Sequence, residues 1–471
     1  MDRWIRAGGL LVCGLFSGLV YAQQPVQFNH QADFVQALES GAAHQPLAQT
    51  VEIGAAELAV LVSAPVGRSL DLPQLTLGLS KQAGFTLKPV NIYASRAKVR
   101  VVDEMGSSTL PHSDRRFFVG TSRSGGVGFS LDPASGRVRG LLVESGESYT
   151  IEGGPTKSGG LALELRSLRE VRRDGDFQCG NDHLEQDPQR IFETRAALPS
   201  LNAMEKGSGL LYEATVAIET DNELMWEKFG NNTSNARDWI EDLFVAMNAF
   251  YEPDLQMRLL LGDVFLRVDT SPAGDPDFNT DPAGFNDGLS EFSSYWQDNQ
   301  SGVDRDFTAL LSGKNVSSRS FSGVAWVTNR YCHPVYSNSF NRIGSNTSPS
   351  FIAGGVGHEI GHNLGSSHTH CEALGPGGAF VDNCYANEDV GCYEGVTACP
   401  AGDGTLMSYC HAGSSGFDGS GPAVGPPNRC STSDTFHPLI AGKLSGFIAA
   451  NNPSCIADFI DIGQVFVDGF E

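Results

Sequence analysis

The spacing of apolar and polar residues divides the chain into parts with different patterns. Between residue 23 and about residue 200, short runs of alternating apolar and polar residues, such as KVRVVDE at 98–104, are separated by Gly, Ser, Pro and Asp. Alternation of this kind is typical of half-buried β-strands joined by turns. The pattern therefore predicts a β-rich N-terminal domain.

From about Gly207 the pattern changes to strands that alternate with helices. The predicted order is strand 210–220, helix 234–251, strand 255–266, helices 285–296 and 304–313, extended segment 322–331 and helix 348–365. Such an order implies a mixed sheet covered by helices, which is an α/β (α+β) fold class. After His368 the regular pattern fades, and Gly, Ser, Pro and Cys dominate.

The beginning of the chain has the features of an export signal. Arg3 and Arg6 precede the apolar run LLVCGLFSGLV, and small residues follow at the usual cleavage positions, which predicts a signal peptide at 1–22. No other stretch reaches the roughly 18 apolar residues of a membrane span, so a secreted, extracellular protein is expected. The formal net charge of −23 argues against nucleic acids and anionic membranes as partners.

Cysteine usage agrees with export. Of the 10 cysteines, Cys13 would leave with the signal peptide, and Cys179 stands more than 150 residues before the next one. The remaining eight are clustered in the C-terminal part: Cys332, Cys371, Cys384, Cys392, Cys399, Cys410, Cys430 and Cys455. They are expected to form four disulfides in an oxidising compartment, with connectivity left open by the spacing, and Cys179 is the odd member of the set.

The stretch GHEIGHNLGSSH at 357–368 carries the candidate chemistry. His358 and His362 are four residues apart and so lie on one face of a helix, and Gly365 can end that helix and return the chain so that His368 adds a third nitrogen. Three histidines leave a fourth position open on Zn²⁺, as in catalytic zinc sites. Glu359 is adjacent to the first ligand and is predicted to act on a water there as general base.

These residues match the signature HExxHxxGxxH of the metzincin zinc peptidases, which the region from about 205 to 460 resembles. Met407 in GTLMSY resembles the Met-turn of that family. HEIGHNLG and the segment GVAWVTNRYC at 323–332, which is similar to a substrate-binding edge strand, point to the adamalysin (reprolysin) branch. Thr369 follows the third histidine where that branch usually has Asp.

The resemblance implies a domain organisation and a latency device. Residues 23–200 resemble a reprolysin propeptide, followed by a catalytic domain at 201–460 and a short tail at 461–471. Such a propeptide would inhibit its own enzyme, with the Cys179 thiolate on the zinc until cleavage near Arg190 or Arg195. The alternative is an accessory β-domain that stays attached.

Two further sites are implied by the resemblance alone. Reprolysins often bind a structural Ca²⁺, and the matching positions here are Glu213, Asp306, Cys455 through its carbonyl, and Asp458, with a Cys332–Cys455 disulfide beside them. Tyr409 stands where astacins and serralysins carry a tyrosine that reaches the zinc or the oxyanion; a packed core tyrosine is the alternative.

Together these features predict a secreted zinc-dependent endopeptidase that hydrolyses peptide bonds in proteins and is made as a zymogen. The alternative is a secreted adhesive or binding protein stabilised by a structural zinc. A structural site has no use for Glu359 or for an open coordination position, which favours the enzyme.

Overall fold

A computed structural model of the chain describes residues 49–75, 83–122, 125–168, 179, 212–268, 285–314, 323–328, 330–386, 388, 391–400, 404–411, 430 and 432–460. The predicted signal peptide, the cleavage positions Arg190 and Arg195, and the tail at 461–471 lie outside the described residues.

The N-terminal part is mostly β-structure, as its alternating pattern predicts. Its elements are β1 (Gln49–Ile53), α1 (Ala55–Ser63), β2 (Leu70–Leu75), β3 (Ala83–Val90), β4 (Val99–Asp103), β5 (Gly106–Leu110), β6 (Arg116–Ser122), β7 (Gly125–Leu131), β8 (Val138–Glu144), β9 (Glu147–Pro155) and β10 (Leu161–Ser167). Eight strands form an antiparallel sheet in the order β1-β10-β9-β8-β7-β6-β3-β2. Most neighbours in this sheet also follow one another in sequence, because short turns can join antiparallel strands.

The second part contains a mixed sheet and the longer helices. Its elements are β11 (Tyr212–Thr220), α2 (Asn222–Phe229), α3 (Thr233–Leu255), β12 (Met257–Arg267), α4 (Phe285–Asn299), β13 (Phe307–Ser312), β14 (Gly323–Ala325), β15 (Asn338–Arg342), α5 (Pro349–Asn363), α6 (Pro438–Asn451) and β16 (Ala457–Asp458). The sheet order is β14-β15-β13-β11-β12-β4-β5, with β16 paired to β11. Strands β15, β13, β11 and β12 run parallel, and β14 is an antiparallel edge. The predicted α/β class is confirmed.

The prediction of a helix at 304–313 is wrong, because β13 occupies the centre of this segment. All residues of β13 are buried. A short apolar run without alternation fits a parallel strand covered on both faces as well as it fits a buried helical segment, so periodicity cannot separate the two.

The hairpin β4–β5 belongs to the N-terminal part in sequence but to the second sheet in space. Strand β4 pairs in parallel with β12, from Val99 opposite Val264 to Val102 opposite Arg267. The hairpin therefore covers the β12 edge of the second sheet, while β14 forms the other end.

Helix α3 lies between the two sheets. Every residue from Trp239 to Leu255 is buried, and the helix packs against β6, β7 and β8 on one side and against α5 and β12 on the other. A helix that is buried all round has apolar residues beyond a single stripe, and the acidic residues within its buried stretch need polar partners.

Four disulfides hold the C-terminal part, as predicted. They are Cys332–Cys455, Cys371–Cys392, Cys384–Cys410 and Cys399–Cys430. The first is the pairing that the family resemblance implied. Cys179 takes part in none of them and is buried. Among the described helices, none is long and apolar enough to cross a membrane.

Candidate metal centre

Helix α5 carries the first two histidines and is buried along almost its whole length. Its glycines allow close packing: a Cβ added to Gly357 would lie 2.7 Å from Phe250 Cζ, and one added to Gly361 would lie 2.6 Å from Met407 Sδ. Glycine costs about 1 kcal/mol of helix propensity relative to Ala at each position. Tertiary contacts, rather than propensity, therefore hold α5 in place.

The chain turns directly after α5, as the position of Gly365 predicts. Gly365 has a φ of +101°, a conformation that glycine adopts without strain. Glu372 accepts a hydrogen bond from the Ser367 backbone at 2.8 Å and forms a buried ion pair with Lys443. These contacts hold the turn that brings His368 back beneath the helix.

The three histidines converge through their Nε2 atoms. The separations are 3.0 Å between His358 and His362, 3.2 Å between His362 and His368, and 3.3 Å between His358 and His368. All three rings are buried. Burial lowers the pKa of His358 and His362 well below the usual value, so both imidazoles are neutral and can offer a lone pair.

The opposite ring nitrogen of each histidine has an acceptor. The Nδ1 atoms of His358 and His362 lie 2.6 Å and 2.7 Å from the carbonyl oxygens of Leu406 and Ser366. Nδ1 of His368 lies 2.6 Å from Glu388 Oε1. An acceptor at Nδ1 fixes the tautomer that leaves Nε2 available to a metal.

Cys179 lies on the open side of the histidine cluster. Its Sγ is 3.5 Å from His362 Nε2 and 3.6 Å from Glu359 Oε2. Its sulfur and the histidine ring nitrogens lie within 4.8 Å of one another and can form a metal-binding group. The Cys179 backbone forms a parallel β-bridge with Gly323, next to the predicted substrate edge.

These donors fit Zn²⁺. With zinc–nitrogen bonds of about 2.05 Å and a zinc–sulfur bond of about 2.3 Å, a tetrahedron separates two nitrogens by about 3.3 Å and a nitrogen from the sulfur by about 3.5 Å. The measured separations of 3.0–3.3 Å between nitrogens and 3.5 Å from sulfur to His362 agree with this geometry. Neutral imidazoles and a thiolate are also the donor types that zinc prefers.

Glu359 is completely buried beside this group. Burial raises the pKa of its carboxyl well above the usual value. Its Oε1 atom has no hydrogen-bond partner among the described residues, and a Cβ added to Gly323 would lie 2.4 Å from that atom. Glycine at 323 therefore makes room for the carboxylate against the edge strand β14.

Met407 and Tyr409 lie under and beside the histidines. Met407 is fully buried, and its carbonyl oxygen accepts a hydrogen bond from the Thr369 backbone at 3.0 Å. The Tyr409 ring lies 4.0 Å from the His368 ring, centroid to centroid, and its hydroxyl donates to the Cys179 carbonyl oxygen at 3.0 Å. Both residues are close to the histidines, and their roles in the site stay predictions.

The sequence did not point to Glu388 or His370. One carboxylate oxygen of Glu388 contacts His368 and the other contacts Nε2 of His370, which is also buried. Thr369, in the position where Asp was expected from the family, donates its hydroxyl to Asp382. Spacing offered no signal for Glu388, because it follows His368 by 20 residues, and the helices described between them are two short 3-10 turns.

The residues predicted to bind Ca²⁺ come together less completely than those predicted to bind zinc. Strand β16 pairs with the beginning of β11, so Glu213 and Asp458 lie at the same end of that pair. One oxygen of Asp306 accepts from the Thr215 backbone at 2.6 Å, and the other lies 3.7 Å from Cys455 Sγ. Burial raises the pKa of Asp306 to about 7. Among the described residues, the metal-binding group around Asp306 includes neither Glu213 nor Asp458.

Residues 211–417 match the reprolysin-type family model described as metallo-peptidase family M12. The match begins one residue before β11 and includes the three histidines, Glu359, Met407 and Tyr409.

Proposed function

We propose that the chain is a zinc metalloendopeptidase made as an exported zymogen that Cys179 keeps latent, and the match of residues 211–417 to metallo-peptidase family M12 as a metzincin-like reprolysin domain supports the activity. Its substrates are proteins or peptides, as the family implies. The observation that carries the proposal is the position of the Cys179 sulfur, 3.5 Å from His362 Nε2 on the open side of the three histidines.

The proposed chemistry assigns one task to each group. His358, His362 and His368 would hold zinc, which supplies Lewis acidity toward the scissile carbonyl and the attacking water. Glu359 takes a proton from that water and passes it to the leaving amine.

Substrate is proposed to lie along β14. This strand is at one end of the second sheet, and β15 pairs with one of its sides. The β-bridge between Cys179 and Gly323 supports the idea that a backbone can add to the other side. An extended peptide would gain main-chain hydrogen bonds in the same way.

Latency is proposed to come from three contacts at Cys179. Its sulfur lies on the open side of the histidines, in the position that the attacking water needs. Its carbonyl oxygen accepts a hydrogen bond from the Tyr409 hydroxyl at 3.0 Å. Its backbone pairs with Gly323 and so covers part of the edge of β14. Cleavage near Arg190 or Arg195 would release this segment. The Tyr409 hydroxyl would then be available to the developing oxyanion.

Export is supported by two independent features. The predicted signal peptide at 1–22 would direct the chain out of the cytoplasm. The four disulfides require an oxidising compartment to persist.

Calcium remains a proposal for the Asp306 region, and pH offers a test. An acid whose folded pKa is raised to about 7 destabilises the folded protein progressively as pH rises from its unfolded pKa through 7. A bound Ca²⁺ would offset that cost, so added Ca²⁺ should raise the Tm at pH 8 more than at pH 5. Asp306→Asn should abolish this difference; an equal calcium response in the variant would assign it to another site.

The enzyme assignment is tested by Glu359→Gln. Casein hydrolysis by the purified mature protein should fall by about 10²–10⁴-fold, the usual contribution of a general base, while zinc content and Tm stay unchanged. Glu227→Gln, an exposed exchange of the same type on α2, serves as control. Wild-type turnover by a zinc-loaded Glu359→Gln enzyme would contradict the mechanism, and absence of chelator-sensitive hydrolysis by the wild type would favour the adhesive alternative.

A further inference from the structure

The β12 edge of the second sheet is completed by the N-terminal part. Besides the β4–β12 pairing, backbone hydrogen bonds continue along this edge on both sides of β4. They run from Ala94 N to Leu261 O at 3.0 Å, from Leu261 N to Ile92 O at 2.7 Å, from Val264 N to Lys98 O at 2.8 Å and from Val268 N to Val102 O at 3.0 Å. Loss of the N-terminal part would expose the apolar edge strand MRLLLGDVFLR, and such an edge is prone to aggregation.

Helix α3 depends on the same part for one of its faces. Strand β7 approaches the helix backbone so closely that a Cβ added to Gly128 would lie 1.9 Å from the Val245 carbonyl oxygen, and one added to Gly126 would lie 2.2 Å from that of Ala249. Val245, Ala246 and Ala249 are fully buried. Strand and helix therefore meet at the density of a protein core, not at that of a transient contact.

Two buried carboxylates of α3 have partners in the N-terminal part. Arg115 of the N-terminal part lies 2.6 Å from Asp242 of α3, and both side chains are buried. Glu241, fully buried, accepts hydrogen bonds from Tyr93 at 2.7 Å and from the Ser113 hydroxyl at 2.6 Å. Separation would leave these carboxylates without the partners that their position on α3 requires.

None of the four disulfides of the described chain joins residues 49–168 to residues 212–460. The two parts are nevertheless continuous: one hydrophobic core contains Val99, Phe117 and Leu141 together with Phe244 and Leu261. The association between them is therefore noncovalent apart from the connecting chain at 169–211.

We infer that residues 49–168 are a lasting subunit of the active enzyme, which stays bound to residues 212–460 after cleavage near Arg190 or Arg195 and a second cleavage within 169–178 have removed the segment carrying Cys179. This inference rests on the proposed zymogen. Activation then removes only the short segment at the metal centre, and the mature enzyme consists of two fragments that share one core.

The test excises Cys179 without disturbing either fragment. Recognition sites for a sequence-specific protease are placed within 169–178 and within 180–211, the full precursor is purified and cut, and the product is passed through a size-exclusion column in native buffer. Both fragments are expected in one peak, and they should separate only in denaturant. Elution of the N-terminal fragment alone directly after cutting would overturn the inference.

Hydrogen exchange gives a second measurement on the same sample. The amides of Leu261, Val264 and Val268 donate to the N-terminal part, so their exchange rates in the cut protein should stay within about tenfold of those in the precursor, as expected for amides in an intact core. A rise of about 100-fold or more, confined to these amides and to α3, would show that the subunit has left.

A variant pair tests the docking surface itself. Gly128→Val inserts a side chain against the Val245 carbonyl, whereas Gly154→Val on the same sheet meets nothing within 4 Å. The first change should make the fragments separate after cutting, and the second should not. If the two fragments stay together in both variants, the β7–α3 contact is not what holds them together. If Gly128→Val does not fold, the wild-type elution and exchange data still decide the question.

Peptide hydrolysis measured on the same cut sample separates this inference from the proposed function. Activity that appears with the fragments in one peak supports both. Activity with separated fragments overturns the inference alone, whereas co-elution without activity supports the subunit and contradicts the proposed peptidase.

Discussion

Replacing the Cys179 sulfur by oxygen tests latency at a single atom. Cys179→Ser keeps the size of the side chain but removes the thiolate, and a neutral hydroxyl is a poor zinc ligand. The Cys179 carbonyl still accepts from Tyr409 at 3.0 Å, and the β-bridge to Gly323 is unaffected. The change therefore isolates the sulfur contact from the other two contacts at this position.

The size of the effect follows from zinc energetics. Four-ligand structural sites bind zinc with about 10–16 kcal/mol, which is about 2.5–4 kcal/mol for each ligand. At about 1.4 kcal/mol per factor of ten, loss of the thiolate should raise the activity of the intact precursor by about 10²–10³-fold. Tyr409→Phe removes one hydrogen bond of about 1 kcal/mol and should raise the fraction of open precursor only about fivefold.

The assay is hydrolysis of a fluorogenic peptide by the intact precursor, with initial rates read before gel analysis detects any cleavage of the chain. The double variant Cys179→Ser, Glu359→Gln should be inactive, which assigns the signal to this enzyme. Equal rates for Cys179→Ser and wild type would refute the reasoning, and latency would then come from the backbone contacts of the segment.

Three further outcomes are expected. Glu388→Gln should weaken zinc binding about 10–100-fold through His368, measured as faster zinc release to a chelator, whereas unchanged release would make Glu388 a packing residue. Tyr409→Phe should lower kcat/KM of the mature enzyme about tenfold at constant zinc content. An unchanged kcat/KM would show that Tyr409 is a packed core residue without a role in the reaction. Arg115→Met should destabilise the precursor by about 3–5 kcal/mol in urea unfolding, because it leaves Asp242 buried without its closest cation. The double variant Arg115→Met, Asp242→Leu should recover most of this loss. Losses that simply add in the double variant would show that the two residues are not coupled.

The convergence of the three histidines could be predicted because their geometry is almost entirely local. His358 and His362 are fixed by one helical turn, and Gly365 supplies the turn that returns His368. Met407 and Tyr409 needed the family resemblance, since nothing in their own spacing relates them to a helix some 40 residues earlier.

Glu388 could not be predicted for a related reason. The loop that contains it has no periodic pattern, and its path depends on the Cys371–Cys392 and Cys384–Cys410 pairings, which spacing leaves open. The hairpin β4–β5 was missed because alternation shows that a segment is a strand and not which sheet it joins. The helix predicted at 304–313 failed because a fully buried strand such as β13 does not alternate.

The crossover of β4 also has a consequence for the order of folding. The N-terminal sheet is built largely from strands adjacent in sequence and is made first, so it can form while synthesis continues. The β4–β12 pairing joins Val99 to Val264, 165 residues later, and closing a loop of that length costs about 4–5 kcal/mol of chain entropy. A preformed N-terminal sheet offers α3 a surface to pack against, and this packing offsets part of the entropy cost. We therefore expect residues 205–471 made alone to refold much more slowly than the full chain, and added N-terminal fragment to restore the rate.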